Sequence, residues 1–137
     1  MLKIVLNWYL VSDGDDSRWS YNRTLYAYLA PRAPEILYIG KADGCTVRRR
    51  WREKRQFWAD LEKERNIKSH RVIVADWDIP VASRMTRELL ADTESLLIYE
   101  VNPWGNIQAQ SSRIQRPGLK VECRGAWPLS KRAFQDT

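Results

Sequence analysis

The sequence predicts an α+β fold, with a small, mainly antiparallel, three-stranded central sheet flanked by helices and with accessory N- and C-terminal strands. Two short strand-like runs, at about 24–30 and 35–40, are joined by a proline-containing turn and predict a hairpin. A third strand is expected at about 70–77, where β-branched residues recur. Two segments of helical character, one beginning near Cys45 and one covering about 82–100, follow the second and third strands.

A strand and an acidic loop are predicted before the hairpin, and a capped helix is predicted after it. Residues 2–11 are mostly apolar with β-branched members, as in a strand, and 12–22 form an acidic loop containing Gly and Ser. Thr46 or Asp43 is expected to cap the first helix, because their side-chain oxygens can accept from its free N–H groups. That helix is expected to bend or break near 54–56. Its apolar residues recur at helical spacing and predict a face packed on a core: Val47, Trp51, Trp58 and Leu61.

The C-terminal part of the chain is predicted to add one more strand. Pro103 ends the second helix, because proline cannot continue a helix. A short strand is expected at 119–123 and a turn of helix at 130–134. The strands at 2–11 and 119–123 are expected to extend or flank the central sheet.

Length and charge limit the class of protein. A chain of 137 residues fits a single domain, covering 1–137. With 44% hydrophobic and 29% charged residues, the composition is that of a folded globular chain rather than a disordered one. The net charge of +6 and a pI near 9.5 favour an acidic partner, and nucleic acid is the commonest partner of this kind.

The cysteines and the apolar segments predict a cytoplasmic protein. Cys45 and Cys123 are far apart and form neither a CxxC pair nor a zinc cluster, so reduced thiols are expected. The apolar stretch at 1–10 is interrupted by Asn7 and is not followed by a small-residue cleavage site. No segment approaches the roughly 20 apolar residues that a membrane span needs.

Five elements follow one another through the central part of the chain. They are a tyrosine five residues before a proline, a Tyr-Ile-Gly-Lys run, an arginine cluster, a glutamate and an asparagine: Tyr26, 38–41, 48–50, Glu94 and Asn106. In this order and spacing the sequence resembles the GIY-YIG nuclease family, which includes excision-repair and homing endonucleases. The resemblance covers about 24–107 and leaves 1–23 and 108–137 as extensions.

The resemblance implies a divalent-metal-dependent endonuclease that hydrolyses phosphodiester bonds in DNA. It implies that Tyr26, assisted by Lys41, takes a proton from the attacking water, and that Arg50 binds the scissile phosphate. The remaining elements, Tyr38 and Asn106, would position the reacting groups. An amide at Asn106 can orient a phosphate or support a strand, whereas its neighbour before Pro103, Asn102, is expected to cap a turn.

Glu94 is also unusual on the residues alone. On a helix, its neighbours three and four positions away are apolar: Leu90, Ala91, Leu97 and Ile98. A carboxylate buried there without compensation would cost several kcal/mol, so it is expected to become neutral, to pair with a cation such as Arg87, or to hold a metal. The resemblance favours one Mg²⁺ or Mn²⁺ ion on Glu94. A single carboxylate suffices because Mg²⁺ keeps several waters and takes substrate phosphate as a further ligand.

Six basic residues between positions 48 and 55 predict a surface that follows phosphates. Arg50 is preferred as the catalytic arginine, because its spacing from Val47 is similar to the family's apolar-x-x-Arg pattern. Counting from Gly40 favours Arg48 instead. The other basic residues are assigned to nucleic-acid binding or to a solvated face: Arg48, Arg49, Arg52, Lys54 and Arg55.

The sequence departs from the family one turn after Arg50. Many members place a histidine or a tyrosine there, whereas this chain has Lys54, which would need a large downward pKa shift to accept a proton. The chain's single histidine, His70, begins a strand and is expected to be a surface or satisfied residue rather than a base. Tyr28 shares a strand face with Tyr26 and is expected in the core or at the rim of the site.

Two alternatives to a DNA endonuclease stay open. One is a binding module that keeps the scaffold and the basic helix without catalysis, as an accessory to a repair, phage or mobile-element complex. The other is an RNA-directed nuclease, since tryptophans can stack on unpaired bases. A partner protein could supply specificity, because the chain has no helix-turn-helix or zinc module of its own.

Overall fold

A computed structural model describes residues 2–81, 83–109 and 118–136, and the fold is α+β, as predicted. The strands are β1 (Lys3–Leu10), β2 (Arg23–Leu29), β3 (Ile36–Asp43), β4 (Arg71–Asp78), β5 (Lys120–Gly125) and β6 (Ala133–Gln135). They form one mixed, six-stranded sheet in the order β3-β2-β4-β1-β5-β6, which curls into a half-barrel.

Three α-helices pack on this sheet. They are α1 (Val47–Arg52), α2 (Arg55–Arg65) and α3 (Arg87–Val101), with 3-10 turns at Ser17–Ser20 and Trp104–Ala109. Thr46 caps α1 as predicted, because its hydroxyl oxygen accepts a 3.1 Å hydrogen bond from the Arg49 N–H. The break predicted near 54–56 is confirmed by the end of α1 at Arg52 and the start of α2 at Arg55. None of the helices in the described residues is long and apolar enough to cross a membrane.

The predicted hairpin is confirmed. β2 and β3 pair in antiparallel fashion, with Tyr26 opposite Gly40 and Tyr28 opposite Tyr38. The other edge of β2 pairs with β4, also in antiparallel fashion. β3 is therefore the edge strand of the sheet, and the three tyrosines lie on neighbouring strands.

The strands predicted at 2–11 and 119–123 both extend the central sheet, as expected, and β6 adds a sixth strand. β1 pairs with β4 on one side and, in parallel, with β5 on the other, so the N-terminal strand is an interior strand rather than an accessory one. Its alternate residues Ile4, Leu6 and Trp8 are almost fully buried, at 0–1% exposure. Burial of these three side chains stabilises the strand in the interior of the sheet, where its backbone N–H and C=O groups need partners on both edges.

One element type and one helix boundary differ from the sequence prediction. The turn of helix expected at 130–134 is wrong, because this segment contributes β6, in which Phe134 pairs with Val121 and packs on Trp127. The second helix begins at Arg87 rather than near 82, since the Thr86 hydroxyl caps it by accepting from the Leu89 N–H at 3.0 Å. Residue 82 itself lies outside the described residues.

Each face of the sheet carries its own core. On one face the apolar residues of α3 pack against β1 and β2, around Leu25 and Ala27. On the other face Tyr26, Tyr28 and Val74 pack against α1 and α2. Because α3 and α1 both contact the edge strand β3, side chains from the two layers can meet at that edge.

Candidate active site

Three tyrosines form one ring cluster at β2 and β3. The ring centroids of Tyr26 and Tyr28 are 5.3 Å apart, those of Tyr26 and Tyr38 are 6.2 Å apart, and those of Tyr28 and Tyr38 are 5.6 Å apart. Tyr26 and Tyr28 are 1% and 0% exposed, whereas Tyr38 is half-buried. Burial raises the pKa of all three phenols, so they stay protonated at neutral pH.

The absence of a side chain at Gly40 makes room for this cluster. A Cβ atom added there would lie 2.5 Å from the Tyr26 hydroxyl oxygen and 2.8 Å from Cε2 of Tyr38. Carbon atoms do not approach other heavy atoms this closely without displacing them. The glycine of the Tyr-Ile-Gly-Lys run is therefore required by close packing of the two phenols against the strand backbone.

Glu94 of α3 lies at the same edge of the sheet. Its half-buried carboxylate acts electrostatically on Tyr38 and Tyr26, so the acid and the phenols share one region. Burial raises the pKa of Glu94, while the positive charges of Lys41 and then Arg50 oppose that rise. Among the described residues, no cation lies within 4.0 Å of the carboxylate.

Arg87, the partner that the sequence offered for Glu94, is engaged elsewhere. Its Nε atom lies 3.2 Å from a carboxylate oxygen of Asp43 at the end of β3. This ion pair ties the first turn of α3 to the edge strand. Glu94 is thus left facing Lys41 and Arg50 without direct contact to either in the described part of the chain.

Of the two arginines considered for catalysis, Arg50 is the one near Glu94. Its Nη1 atom lies 3.6 Å from Glu53, and its buried Nε has no hydrogen-bond partner among the described residues. Arg48 instead donates a hydrogen bond to the Gly14 carbonyl oxygen, and its guanidinium lies 5.3 Å from the Trp19 ring. Arg48 therefore holds the loop before β2 against α1.

Lys54 lies at the tyrosine cluster, although the sequence analysis assigns it only to nucleic-acid binding or to a solvated face. It lies between α1 and α2, and its Nζ atom is 4.9 Å from the centroid of the Tyr38 ring. Burial, followed by the nearby charge of Arg50, lowers the pKa of Lys54. The position of Lys54 one turn after Arg50, where many members of the family have a histidine or a tyrosine, could have indicated a role at the site. The sequence could not show that the amine is half-buried over a phenol.

Of the two roles predicted for Asn106, orienting a phosphate or supporting a strand, the structure shows support of a strand. Its side-chain oxygen accepts from the Ile39 N–H at 2.8 Å, and its amide nitrogen donates to the Ile39 carbonyl oxygen at 2.8 Å. The residue is 8% exposed, and both of its amide atoms are used to support β3 from outside the sheet. Asn102, as expected, ends α3 in the left-handed conformation with φ of 56°.

The remaining basic residues of the 48–55 stretch are on the surface. Arg49 is 72% exposed at its side chain and lies 3.9 Å from Glu53. Arg52 and Arg55 are exposed, and in the described part of the chain neither forms an ion pair. They are free to contact an anionic partner.

His70 is hydrogen-bonded and packed against tryptophans, so it is a satisfied residue, as expected. Its Nε2 atom accepts a 3.0 Å hydrogen bond from the Trp51 indole N–H, and its ring stacks on Trp58 with centroids 3.9 Å apart. Burial lowers the pKa of His70, which favours the neutral imidazole that this hydrogen bond requires.

The residues at the site fit a single hard cation rather than a metal cluster. Within residues 2–81, 83–109 and 118–136, no group of three or more His, Cys, Asp or Glu side chains is arranged to hold a metal. Glu94 offers this site a carboxylate that has no cation within 4.0 Å among the described residues. Mg²⁺ bound through one carboxylate, with water and substrate phosphate as its other ligands, is compatible with this donor set.

Comparison with known proteins adds no relative. The chain matches no protein-family model, no curated protein and no solved structure.

Proposed function

We propose that this chain is a divalent-metal-dependent endonuclease that hydrolyses phosphodiester bonds in DNA, as its resemblance to GIY-YIG nucleases implies. One observation carries the proposal. The Glu94 carboxylate faces two cations, Lys41 and Arg50, beside the tyrosine cluster, yet no cation in the described residues lies within 4.0 Å of it. Opposite charges held near one another without pairing are suited to binding a charged substrate between them.

Arg50 is the residue that we assign to the scissile phosphate. Its guanidinium stays charged at any working pH and can hold phosphate oxygens through parallel hydrogen bonds. The buried Nε without a partner among the described residues is a donor that such an oxygen would satisfy. Lys41, on the same strand as Tyr38, adds positive charge where negative charge develops.

Glu94 is the residue that would hold Mg²⁺ or Mn²⁺. The bound ion would polarise the phosphate and stabilise the leaving oxygen. The protein's own contribution is to hold Glu94 on α3 against the edge strand, partly shielded from water. Burial strengthens the attraction of this carboxylate for a cation, for the same reason that it raises the pKa of Glu94.

The removal of a proton from water is assigned to Lys54 rather than to Tyr26. Tyr26 is 1% exposed and burial raises its pKa, so the phenol is a poor proton acceptor. Arg50 is the cation that opposes the rise in the pKa of Tyr26, whereas the resemblance implied assistance from Lys41. Lys54 lies over Tyr38, and burial together with the nearby charge of Arg50 lowers the pKa of its amine, as a general base requires.

The proposal is tested by replacing Glu94. Glu94→Gln keeps the shape of the side chain, and DNA cleavage with Mg²⁺ should vanish while DNA binding in EDTA survives. Glu88→Gln is the matched control, because Glu88 is exposed in the first turn of the same helix and removes the same charge. Cleavage by Glu94→Gln at the wild-type rate would reject the assignment.

The role of Lys54 is tested by exchanging one cation for another. Lys54→Arg retains the positive charge but cannot become neutral, so loss of a general base should lower the cleavage rate by about 10²–10⁴-fold. If Lys54 only binds phosphate, the arginine should retain most of the activity. The pH profile separates the cases, because the wild-type rate should rise with pH as the amine loses its proton.

The burial of the phenols also favours a second candidate function. A site whose tyrosines stay protonated can bind a nucleic acid without cutting it, and the chain would then be a binding module on the same scaffold. Purified protein incubated with DNA or RNA and Mg²⁺ or Mn²⁺, against an EDTA control, distinguishes the two. Cleavage of RNA in preference to DNA would identify the substrate instead as RNA.

A further inference from the structure

A second surface beside the candidate active site combines two indoles with two arginines. Trp51, Arg52, Arg55 and Trp58 line a pocket of about 400 Å³ at the junction of α1 and α2. This volume lies within the range of about 300–1,000 Å³ that is typical of small-ligand sites. We propose that this Trp51–Trp58 pocket binds an unstacked nucleobase of single-stranded DNA, with the adjoining phosphates on Arg52 and Arg55. The inference rests on nucleic acid as the partner in the proposed function.

The two indoles are held in place before any ligand arrives. His70 accepts the Trp51 N–H at 3.0 Å and stacks on Trp58 with an interplanar angle of 14°. Trp51 also packs on Trp19, at 5.3 Å between ring centroids, and Trp58 packs on Tyr28 at 4.8 Å. Because both rings are fixed, a base that stacks on them loses little affinity to ordering of the protein.

The charges around the pocket suit a phosphate backbone. Arg52 and Arg55 are exposed, whereas the carboxylate between them in sequence, Glu53, pairs with Arg49 and Arg50. No carboxylate of the described residues lies within 4.0 Å of either pocket arginine. A base bound here would therefore find aromatic surface together with two unpaired guanidinium groups, which is the combination that single-strand-binding proteins use.

The pocket is connected to the candidate active site by direct ring contacts. Tyr28 contacts both Tyr38, at 5.6 Å between centroids, and Trp58. Phe57, next to Trp58, lies 5.4 Å from Tyr38. A DNA strand that extends from Arg50 to the Trp51–Trp58 pocket would therefore need an unpaired nucleotide close to the scissile phosphate. The preferred substrate would then be a branched, nicked or single-stranded DNA rather than an intact duplex.

The test measures binding without metal, so that it does not depend on cleavage. In EDTA, a labelled oligothymidylate of about eight nucleotides is titrated with protein, and an oligonucleotide of the same length with abasic sites and a duplex are titrated in parallel. We expect the oligothymidylate to bind roughly tenfold or more tightly than the abasic strand, with quenching of tryptophan emission. Equal affinity for the thymidylate and abasic strands would overturn the proposal, and so would a failure to bind any probe.

Matched variants then locate the binding. The double variant R52Q/R55Q should lose roughly tenfold or more in affinity for oligothymidylate, whereas R32Q/R84Q, which removes two exposed charges outside the 48–55 stretch, should lose clearly less. Trp58→Phe, which preserves a ring for packing, should reduce the preference for thymidylate over the abasic strand. Equal losses in the two double variants would overturn the pocket but not the endonuclease. Intact single-strand binding without any cleavage in Mg²⁺ would overturn the endonuclease but not the pocket.

Discussion

Replacing Asn106 should destabilise the protein far more than its position after a helix would suggest. In Asn106→Ala, the Ile39 N–H and carbonyl oxygen both lose partners at 2.8 Å, and Ile39 is 0% exposed. Leaving a buried polar group unsatisfied costs about 1–3 kcal/mol, so the two losses together should cost about 2–6 kcal/mol.

Urea denaturation followed by tryptophan fluorescence measures this cost. With a denaturant slope of about 2 kcal/mol per molar urea, the midpoint of Asn106→Ala should fall by about 1–3 M. The control is Gln56→Ala, which removes an exposed amide bonded to Asp60 at 2.8 Å. That variant should stay within about 0.5 kcal/mol of the wild type.

The result also separates the two roles that an asparagine could have here. If Asn106 supports β3, loss of stability and loss of cleavage should occur together, and the slope of unfolding should be unchanged. If it contacts substrate, cleavage should fall while the urea midpoint stays near that of the wild type. A midpoint within about 0.2 M of the wild type would refute the reasoning from the two hydrogen bonds.

Three further changes have expected outcomes. Glu94→Gln should raise the urea midpoint at pH 7, and a lowered midpoint would contradict this. Burial raises the pKa of Glu94 above 4.5, so the stability that the protonated side chain contributes is complete below pH 4.5 and is lost as pH rises through the folded-state pKa. Glutamine stays neutral at pH 7 and avoids that loss. Gly40→Ala should cost about 1–3 kcal/mol in urea unfolding, since its Cβ would lie 2.5 Å from the Tyr26 hydroxyl, whereas Gly14→Ala meets no atom within 4 Å and should be nearly neutral; equal effects would rule out the close packing. Burial lowers the pKa of His70, so the stability that its neutral ring provides with Trp51 is present above about pH 6.5 and is lost as pH falls through the lower folded-state pKa. His70→Gln has no such titration, so it should lose less stability than the wild type between pH 7 and pH 5.

The local elements could be predicted from the sequence because local rules set them. The Thr46 cap, the break before Arg55 and the hairpin with Tyr28 opposite Tyr38 each depend on a few consecutive residues. The choice of Arg50 over Arg48 as the catalytic arginine rests on the apolar-x-x-Arg pattern of the resemblance and stays a prediction. Arg50 is the one of the two that acts electrostatically on Glu94.

What the sequence could not predict depends on distant residues coming together. The bonds from Asn106 to Ile39 span 67 positions, and no local pattern distinguishes an amide that supports a strand from one that binds phosphate. The contact of Lys54 with Tyr38 likewise requires α2 to be docked on the hairpin. The sequence predicts a helical turn in place of the short β6, because a strand of three residues carries too little periodicity to be recognised.

The parallel pairing of β1 with β5 ties the two ends of the chain into one ladder. Lys3 lies opposite Lys120 and Trp8 opposite Gly125, so this contact bridges 117 residues. A fragment trimmed to 24–107 would expose the backbone edge of β4 and leave the layer beneath α3 without Ile4, Leu6 and Trp8. The half of the sheet that carries the tyrosine cluster is therefore not a separable unit, and experiments on the site need the whole chain.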